Sequence, residues 1–390
     1  MQRHLEVADV FRLHGPAYRQ AHAMPVRHLR AMRAIEVCRS AELGGHVDAC
    51  DHCGRLRISY NSCRNRHCPK CQGLDKERWL EARKEDLLPT AYFHLVFTVP
   101  EGVKSLALRN QEVVYSILFK AASESLKELT EDPKHLGAEV GFIAILHTWR
   151  QTLMDHPHLH CIVTGGGLSQ DRLRWVPCKE EFFLPIKVLS RLFRGKFLAY
   201  LKEAYRNAKL VFPGKIACLR EESALKALLR ELYGQEWVVY CKPPFQNAEM
   251  VMDYLGRYTH RVAISNNRLV KLEGGKVTFL YRDRGDHDKV KPMTLEADEF
   301  IRRFLLHILP DGFVKIRHYG LLSNRNRKKK LRVCRKLLGV HERRENAEKE
   351  SWQDLLTRIS GVDPRICPHC GKGKMVRKEI LNPSAPSLAP

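Results

Sequence analysis

His156-Pro157-His158-Leu159-His160-Cys161-Ile162-Val163-Thr164 is the stretch on which the reading of this chain turns. From Pro157 to Thr164 it has the apolar, β-branched character of a buried strand. Residues i and i+2 of a strand point to one face, so His158 and His160 leave the same side, about 6–7 Å apart along the backbone. Two imidazoles so placed can grip one divalent cation. A carboxylate, amide or third imidazole typically completes such a shell. His156, His147 and Gln151 are the candidates, and the sequence does not choose among them. Most His-apolar-His pairs are ordinary polar or core histidines, so this one gains weight only from its surroundings.

Roughly a hundred residues downstream lies Tyr254-Leu255-Gly256-Arg257-Tyr258, within a helix expected over Asn247–Tyr258. At i, i+4 spacing both phenols leave one helix face, about 5–6 Å apart at Cβ. Such pairs are more often half-buried core residues with their hydroxyls at the rim. Opposite a His-apolar-His clamp, they are also the equipment for cutting a DNA strand with a tyrosine oxygen as nucleophile. Tyrosine suits that role because the covalent phosphotyrosine conserves the bond energy for later rejoining.

Thirteen cysteines in a chain whose opening residues lack the apolar stretch of a signal peptide point to metal and free thiols rather than disulfides. Cys50-Asp51-His52-Cys53 and Cys68-Pro69-Lys70-Cys71 give two C-x2-C knuckles, and Cys50, Cys53, Cys68 and Cys71 are expected to close one tetrahedral structural zinc site. Cys63 and His67 are spare donors beside it. A further knuckle, Cys367-Pro368-His369-Cys370-Gly371, has no evident second half; His369, Cys334 or another chain are the candidates to complete it.

Around these motifs the chain alternates. A helical stretch over 7–42 and a short strand at Leu56–Tyr60 frame the first cysteines. Strands are expected at Ala91–Pro100, Gly141–Leu146 and Glu236–Cys241, and at Val262–Ile264. Helices are expected over 102–130, 186–209 and 223–233. A hairpin joins Arg268–Leu272 to Lys276–Tyr281 at Gly274-Gly275. Gly165-Gly166-Gly167 reads as a turn ending the histidine strand. Strands mixed with hairpins argue for an α+β protein with an antiparallel sheet. Its expected organisation is a zinc-binding domain over 1–80, a catalytic domain over 88–320, and a basic segment over 321–390.

The composition names the partner class. With 67 Lys+Arg against 44 Asp+Glu, the net charge of +23 favours a polyanion, nucleic acid first. No run of 18 apolar residues appears, which argues against a membrane-spanning protein. Arg325, Arg327, Lys328, Lys329, Lys330 and Arg332 are the densest positive cluster and the expected DNA-backbone contacts. The protein is expected in the reducing cytoplasm.

At these residues the chain resembles the HUH-type rolling-circle nucleases and, within them, the transposases of the insertion sequence ninety-one group. The resemblance runs nearly end to end, through YNSCRNRHCPKCQ, HLVFTVP, HTWRQTLMDHPHLHCIVTGGG, YLGRYTHRVAISNNRL and CPHCGKGKM. It implies a single-strand DNA endonuclease and strand transferase that moves its element by rolling-circle replication. The cofactors implied are catalytic Mg2+ or Mn2+ and structural Zn2+. His158 and His160 match the metal-binding pair, Tyr254 and Tyr258 the nucleophiles, and Cys50, Cys53, Cys68 and Cys71 the zinc block. It further implies an antiparallel palm resembling an RNA-recognition or ferredoxin-like domain, with the histidines on a central strand. The implied partners are single-stranded DNA at the element ends and target, with host replication factors, on the bacterial nucleoid.

Two other classes fit parts of the sequence. A non-catalytic zinc-finger DNA-binding protein would use the cysteines and the basic cluster, leaving the histidines and tyrosines unexplained. A zinc hydrolase would use His156, His158 and His160, but the distant ligands of such sites are not marked.

Overall fold

The computed structural model describes residues 4–179, 183–245, 248–258, 262–340 and 350–384, with the side chains of 72, 248–249, 257–258 and 284 outside that description. Along the chain, helices α1 (Val7–Ala21) and α2 (Val26–Glu36) lead into strands β1 (Gly45–Cys50) and β2 (Leu56–Tyr60). Helix α3 (Gln72–Lys84), strand β3 (Tyr92–Thr98) and helices α4 (Glu101–Arg109) and α5 (Gln111–Glu131) follow. Next come strands β4 (Ala138–Trp149), β5 (Asp155–Ser169) and β6 (Trp175–Pro177), then helices α6 (Ile186–Arg206) and α7 (Glu222–Gly234). Strand β7 (Val239–Phe245) precedes helix α8 (Ala248–Tyr258), and strands β8 (Leu269–Glu273), β9 (Lys276–Asp283) and β10 (Lys289–Glu296) precede helix α9 (Ala297–Leu306). The chain closes with strand β11 (Ile316–Gly320), helices α10 (Arg327–Leu337) and α11 (Trp352–Ser360), and strand β12 (Met375–Leu381). No helix among the described residues is long and apolar enough to cross a membrane.

Contacts divide the chain into two compact units, one from 1–77, 260–308 and 343–390, the other from 78–259 and 309–342. This differs from the linear three-part division read from the sequence. The stretch 260–308 belongs with the first unit, and the basic stretch 325–332 with the second.

The second unit is built on an antiparallel sheet of order β11-β4-β5-β3-β7, with β6 added beside the far end of β5. Strand β5 is therefore central, and period-2 alternation gives the sheet two faces. Phe93, Leu95 and Phe97 of β3, Phe142, Ala144 and Leu146 of β4, and Leu159, Cys161 and Val163 of β5 enter one core with side chains of α4, α5 and α6. The opposite face carries Tyr92, Ile143, Ile145 and Ile162, which pack with Val251, Tyr254 and Leu255 of α8 and with Leu331 and Cys334 of α10. A one-residue slip of β3 would turn Phe93, Leu95 and Phe97 to the wrong face, at about 1.5–3 kcal/mol each. Register is thereby fixed, and with it the face on which His158 and His160 stand.

Gly165-Gly166-Gly167 does not end β5; the strand runs through all three to Ser169. These residues are glycine because adjacent segments of the same sheet press on them. A Cβ on Gly167 would lie 2.6 Å from the Glu139 carbonyl oxygen, and one on Gly165 2.7 Å from that of Ala91.

In the first unit β1, β2 and β12 form a sheet of order β12-β1-β2, and β8, β9 and β10 one of order β10-β9-β8. Helix α9 packs on α1, with Phe11 and Phe304 edge to face at 5.2 Å. The expected single helical stretch over 7–42 is two helices, parted before Pro25, which caps α2. Val262-Ala263-Ile264 pairs with no strand; Ala263 and Ile264 are buried, so their apolar character reflects packing.

Candidate active site and cysteine clusters

Because β5 lies between β4 and β3, its histidines have neighbours on both sides. In the β4–β5 register His158 stands opposite His147, and His160 opposite Ile145. In the β3–β5 register Val96 stands opposite His160, which puts His94 one pleat along on the same face. His158 Nε2 lies 3.0 Å from His160 Nε2. One ring nitrogen from each of His147, His158 and His160 falls within a common 4.8 Å. Metal–nitrogen bonds of about 2.1 Å at right angles leave nitrogens about 3.0 Å apart, so the pair suits adjacent positions on one ion. His158 Nδ1 lies 2.6 Å from the His156 carbonyl oxygen. With its proton donated there, Nε2 keeps a lone pair for a cation. Of the three candidates for a further ligand, His147 is the one drawn into this cluster. His156 instead has Nδ1 3.5 Å from Arg150 Nη2, and Gln151 sits in the turn between β4 and β5.

Helix α8 presents Val251, Tyr254 and Leu255 to the same sheet face, the i, i+3, i+4 stripe of a packed helix. Tyr254 Oη comes 2.6 Å from His94 Nε2 and 2.9 Å from His160 Nδ1. Phe245 packs against the Tyr254 ring at 5.2 Å. His94 was not singled out from the sequence, yet it is the nearest group to the phenol. Burial, then the charges of Lys242 and His158, pulls its pKa down to about 3. Its ring is therefore neutral near pH 7, and its Nε2 can accept a hydrogen bond from the Tyr254 hydroxyl. Lys242 stands opposite His94 in the β3–β7 register and brings positive charge to this edge. Tyr258 is the last residue of α8, and its side chain lies outside the described residues.

The basic cluster is a helix start rather than a tail. Arg327 pairs with Asp86 at 3.1 Å and Lys330 with Glu139 at 2.5 Å, within the second unit. Arg325, Lys328, Lys329 and Arg332 are exposed.

The four cysteines expected in one zinc site are divided between two clusters. Cys68 and Cys71 gather with Cys38 and Cys63, and Cys50 and Cys53 with Cys367 and Cys370. The β1–β2 hairpin explains the correction. Cys50 and Cys53 sit at its turn, whereas Cys63 to Cys71 follow its open end. The hairpin keeps the two ends roughly 15–20 Å apart at strand rise, too far for one ion. In the first cluster Cys71 Sγ lies 3.4 Å from Cys38 Sγ and 3.5 Å from Cys63 Sγ. Hydrogen bonds from Cys38, Cys63 and Cys68 hold the Cys71 thiol far below its ordinary value, while Cys38, Cys63 and Cys71 push Cys68 up. Cys38, just past the end of α2, was the ligand candidate missing from the sequence reading. Neither His369 nor Cys334 completes the C-terminal knuckle; Cys334 belongs to the core of the second unit.

Comparison with known proteins places the chain in a family. Residues 10–99 match the family described as "Transposase zinc-binding domain", and residues 141–330 the family described as "Putative transposase". The chain is 52% identical over 380 residues to "Putative transposase y4qJ" of Sinorhizobium fredii, covering 97% of this chain and 96% of that one. It is 28% identical over 343 residues to the "Transposase for insertion sequence element IS801" of Pseudomonas savastanoi pv. phaseolicola, covering 86% of this chain and 79% of that one. No solved structure matches. With a zinc-binding segment at its head and close kinship along nearly its whole length, the chain belongs to the insertion-sequence transposases of the IS91 type.

Proposed function

We propose that this transposase is a metal-dependent single-strand DNA nickase and strand transferase of the HUH kind, with Tyr254 as its nucleophile. The observation that carries the reading is the contact of Tyr254 Oη with His160 Nδ1 at 2.9 Å, while His160 Nε2 faces His158 Nε2 at 3.0 Å. Nucleophile and metal ligands thus share one side chain as their meeting point. His158, His160 and His147 would hold Mg2+ or Mn2+, which supplies charge neutralisation on the phosphate oxygens. His94 Nε2, 2.6 Å from Oη, accepts a hydrogen bond from the phenol and aims its oxygen, and the phenol proton passes to water as the oxygen attacks phosphorus. The new bond joins Tyr254 Oη to the 5′ phosphate, and the bond to the preceding 3′ oxygen breaks, that oxygen taking a proton from water to leave a 3′ hydroxyl. Attack by a 3′ hydroxyl on the phosphotyrosine reverses these changes and releases the tyrosine, which is strand transfer. Tyr258, one helical turn on, is the proposed second nucleophile.

Single-stranded DNA at the element ends and target is the proposed substrate, held by Arg325 just before α10, by Lys328, Lys329 and Arg332 on it, and by Lys242 beside the site. The zinc-binding domain keeps Zn2+ as a structural ion, with Cys38, Cys63, Cys68 and Cys71 as its proposed ligands, because four thiolates leave no open position.

The test is a single-stranded oligonucleotide from an element end, labelled on the side that stays with the protein. Denaturing gels read the covalent adduct in Mn2+. Tyr254→Phe keeps the ring packing and removes the oxygen, so adduct formation should fall by at least about a hundredfold, on the scale of losing a catalytic group. Adduct at the parent level in this variant would exclude Tyr254 as the first nucleophile.

A further inference from the structure

We infer that Cys50, Cys53, Cys367 and Cys370 form a second structural zinc site that fastens the C-terminal segment to the β1–β2 hairpin. The zinc-binding match ends at residue 99 and the other family match at 330, so half of this site lies outside both. The site stands apart from the nuclease chemistry proposed above.

The geometry is that of one tetrahedral ion. Cys50 Sγ lies 3.7 Å from Cys370 Sγ, and Cys53 Sγ 3.8 Å from Cys367 Sγ. The four sulfurs all fall within 4.8 Å of one another. Zinc–sulfur bonds of about 2.3 Å place tetrahedral thiolates about 3.8 Å apart. A disulfide would bring two sulfurs to about 2.05 Å, and all four cysteines are free. Four soft thiolates at this spacing select zinc and fill its shell, which makes the site structural.

The two halves also share one backbone form. Each is C-x2-C-G. Gly54, at φ 69°, donates its N–H to the Cys50 carbonyl at 3.0 Å, and Gly371, at φ 67°, to that of Cys367 at 2.9 Å. Backbone N–H groups also turn onto the sulfurs: Cys53 N lies 3.4 Å from Cys50 Sγ, and Gly373 N 3.5 Å from Cys370 Sγ. These donors stabilise thiolate, the form that binds metal.

The surrounding chain is shaped to the same end. Strand β12 pairs with β1 from Gly45↔Leu381 to Cys50↔Met375. The Asp51 carboxylate accepts from Lys374 N at 2.7 Å, and the Lys374 carbonyl from Asp51 N at 3.1 Å. Gly373 leaves room for the site, since a Cβ there would lie 2.4 Å from Cys50 Sγ.

The full-length protein, stripped and reloaded with Co2+, gives a thiolate-to-metal charge-transfer band to which the histidines do not contribute. Two four-thiolate sites are expected, so Cys367→Ser/Cys370→Ser should halve that band, and Cys63→Ser/Cys71→Ser should halve it independently. The conservative Cys370→His, which keeps four ligands, should retain the parent metal content and shift the spectrum of one site only; this holds even if the serine variants fold poorly. A parent band equal to that of a single four-thiolate site would overturn the inference. So would a Cys367→Ser/Cys370→Ser protein with an undiminished band.

Discussion

Asp155 is the costliest carboxylate on the site strand. It opens β5, is almost wholly buried, and neither of its oxygens has a hydrogen-bond partner among the described residues. Burial, against the opposing pull of Lys104, raises its pKa from 3.8 to about 7. The folded state therefore holds a proton that the unfolded chain has already released. This contribution is complete below about pH 4 and is lost as pH rises through about 7. Asp155→Asn should be more stable than the parent at pH 8 by up to about 4 kcal/mol and equal to it near pH 4, as urea titrations at both pH values would read. At the proposed metal cluster the donors are all imidazole, which favours Mn2+ over the harder Mg2+. His147→Ala should raise the Mn2+ concentration needed for half-maximal nicking about 10–100-fold, on the scale of perturbing a ligand shell, while leaving DNA affinity alone. The pair His158 and His160 was legible in the sequence because i, i+2 spacing is a property of one strand. His94 was not, because it reaches the site across a strand register that a single sequence does not print, and His147 stood as one of three candidates until the β4–β5 register set it opposite His158. The only trace of His94 was a titratable ring inside an otherwise apolar run, Tyr92 to Val99.

Among the elements, helix α10 shows how a charge run divides its work. Leu331 and Cys334 anchor it in the core, Arg327 and Lys330 are committed to Asp86 and Glu139, and Lys328, Lys329 and Arg332 are exposed. Lys328→Gln/Lys329→Gln/Arg332→Gln should therefore weaken single-strand binding without unfolding the protein. The slope of log affinity against log salt should flatten by about 2, at roughly 0.7 for each phosphate released; filter binding across a salt series measures it. Lys330→Gln should instead lower stability with little change in slope. Strand and helix types were widely legible here, since periodicity decides them: β2, the β8–β9 hairpin and α8 fall where they were expected. The triple glycine was misread because the rule that glycine marks turns assumes solvent on both sides. Inside a sheet, glycine instead marks a place where two backbones crowd, as Glu139 crowds Gly167.

For the whole molecule, the two units have separate cores and are built from separated stretches of chain. Among the described residues, four-cysteine clusters occur in the first alone. Calorimetry should accordingly resolve two transitions, and a zinc chelator should lower one of them by many degrees while leaving the sheet-and-histidine unit within a few degrees of its untreated value. A single transition shifted as one block would contradict this. Unit boundaries were poorly legible because the sequence suggests contiguous domains, and neighbouring C-x2-C knuckles suggest partners. The better guide was the glycine after the second cysteine, shared by Cys50–Gly54 and Cys367–Gly371 but replaced by Gln72 after Cys71. The pairing of β12 with β1 also imposes a schedule on synthesis. Cys50 and Cys370 are 320 residues apart, which a ribosome covers in about 15–60 s. Throughout that interval β1 has an open edge, and the emerging protein waits for residues 367–381. A message truncated anywhere before residue 367 would release a chain whose head could never be closed, however intact its histidines and tyrosines. Decayed copies of such a mobile element would then be disarmed by a nonsense codon at any position before residue 367.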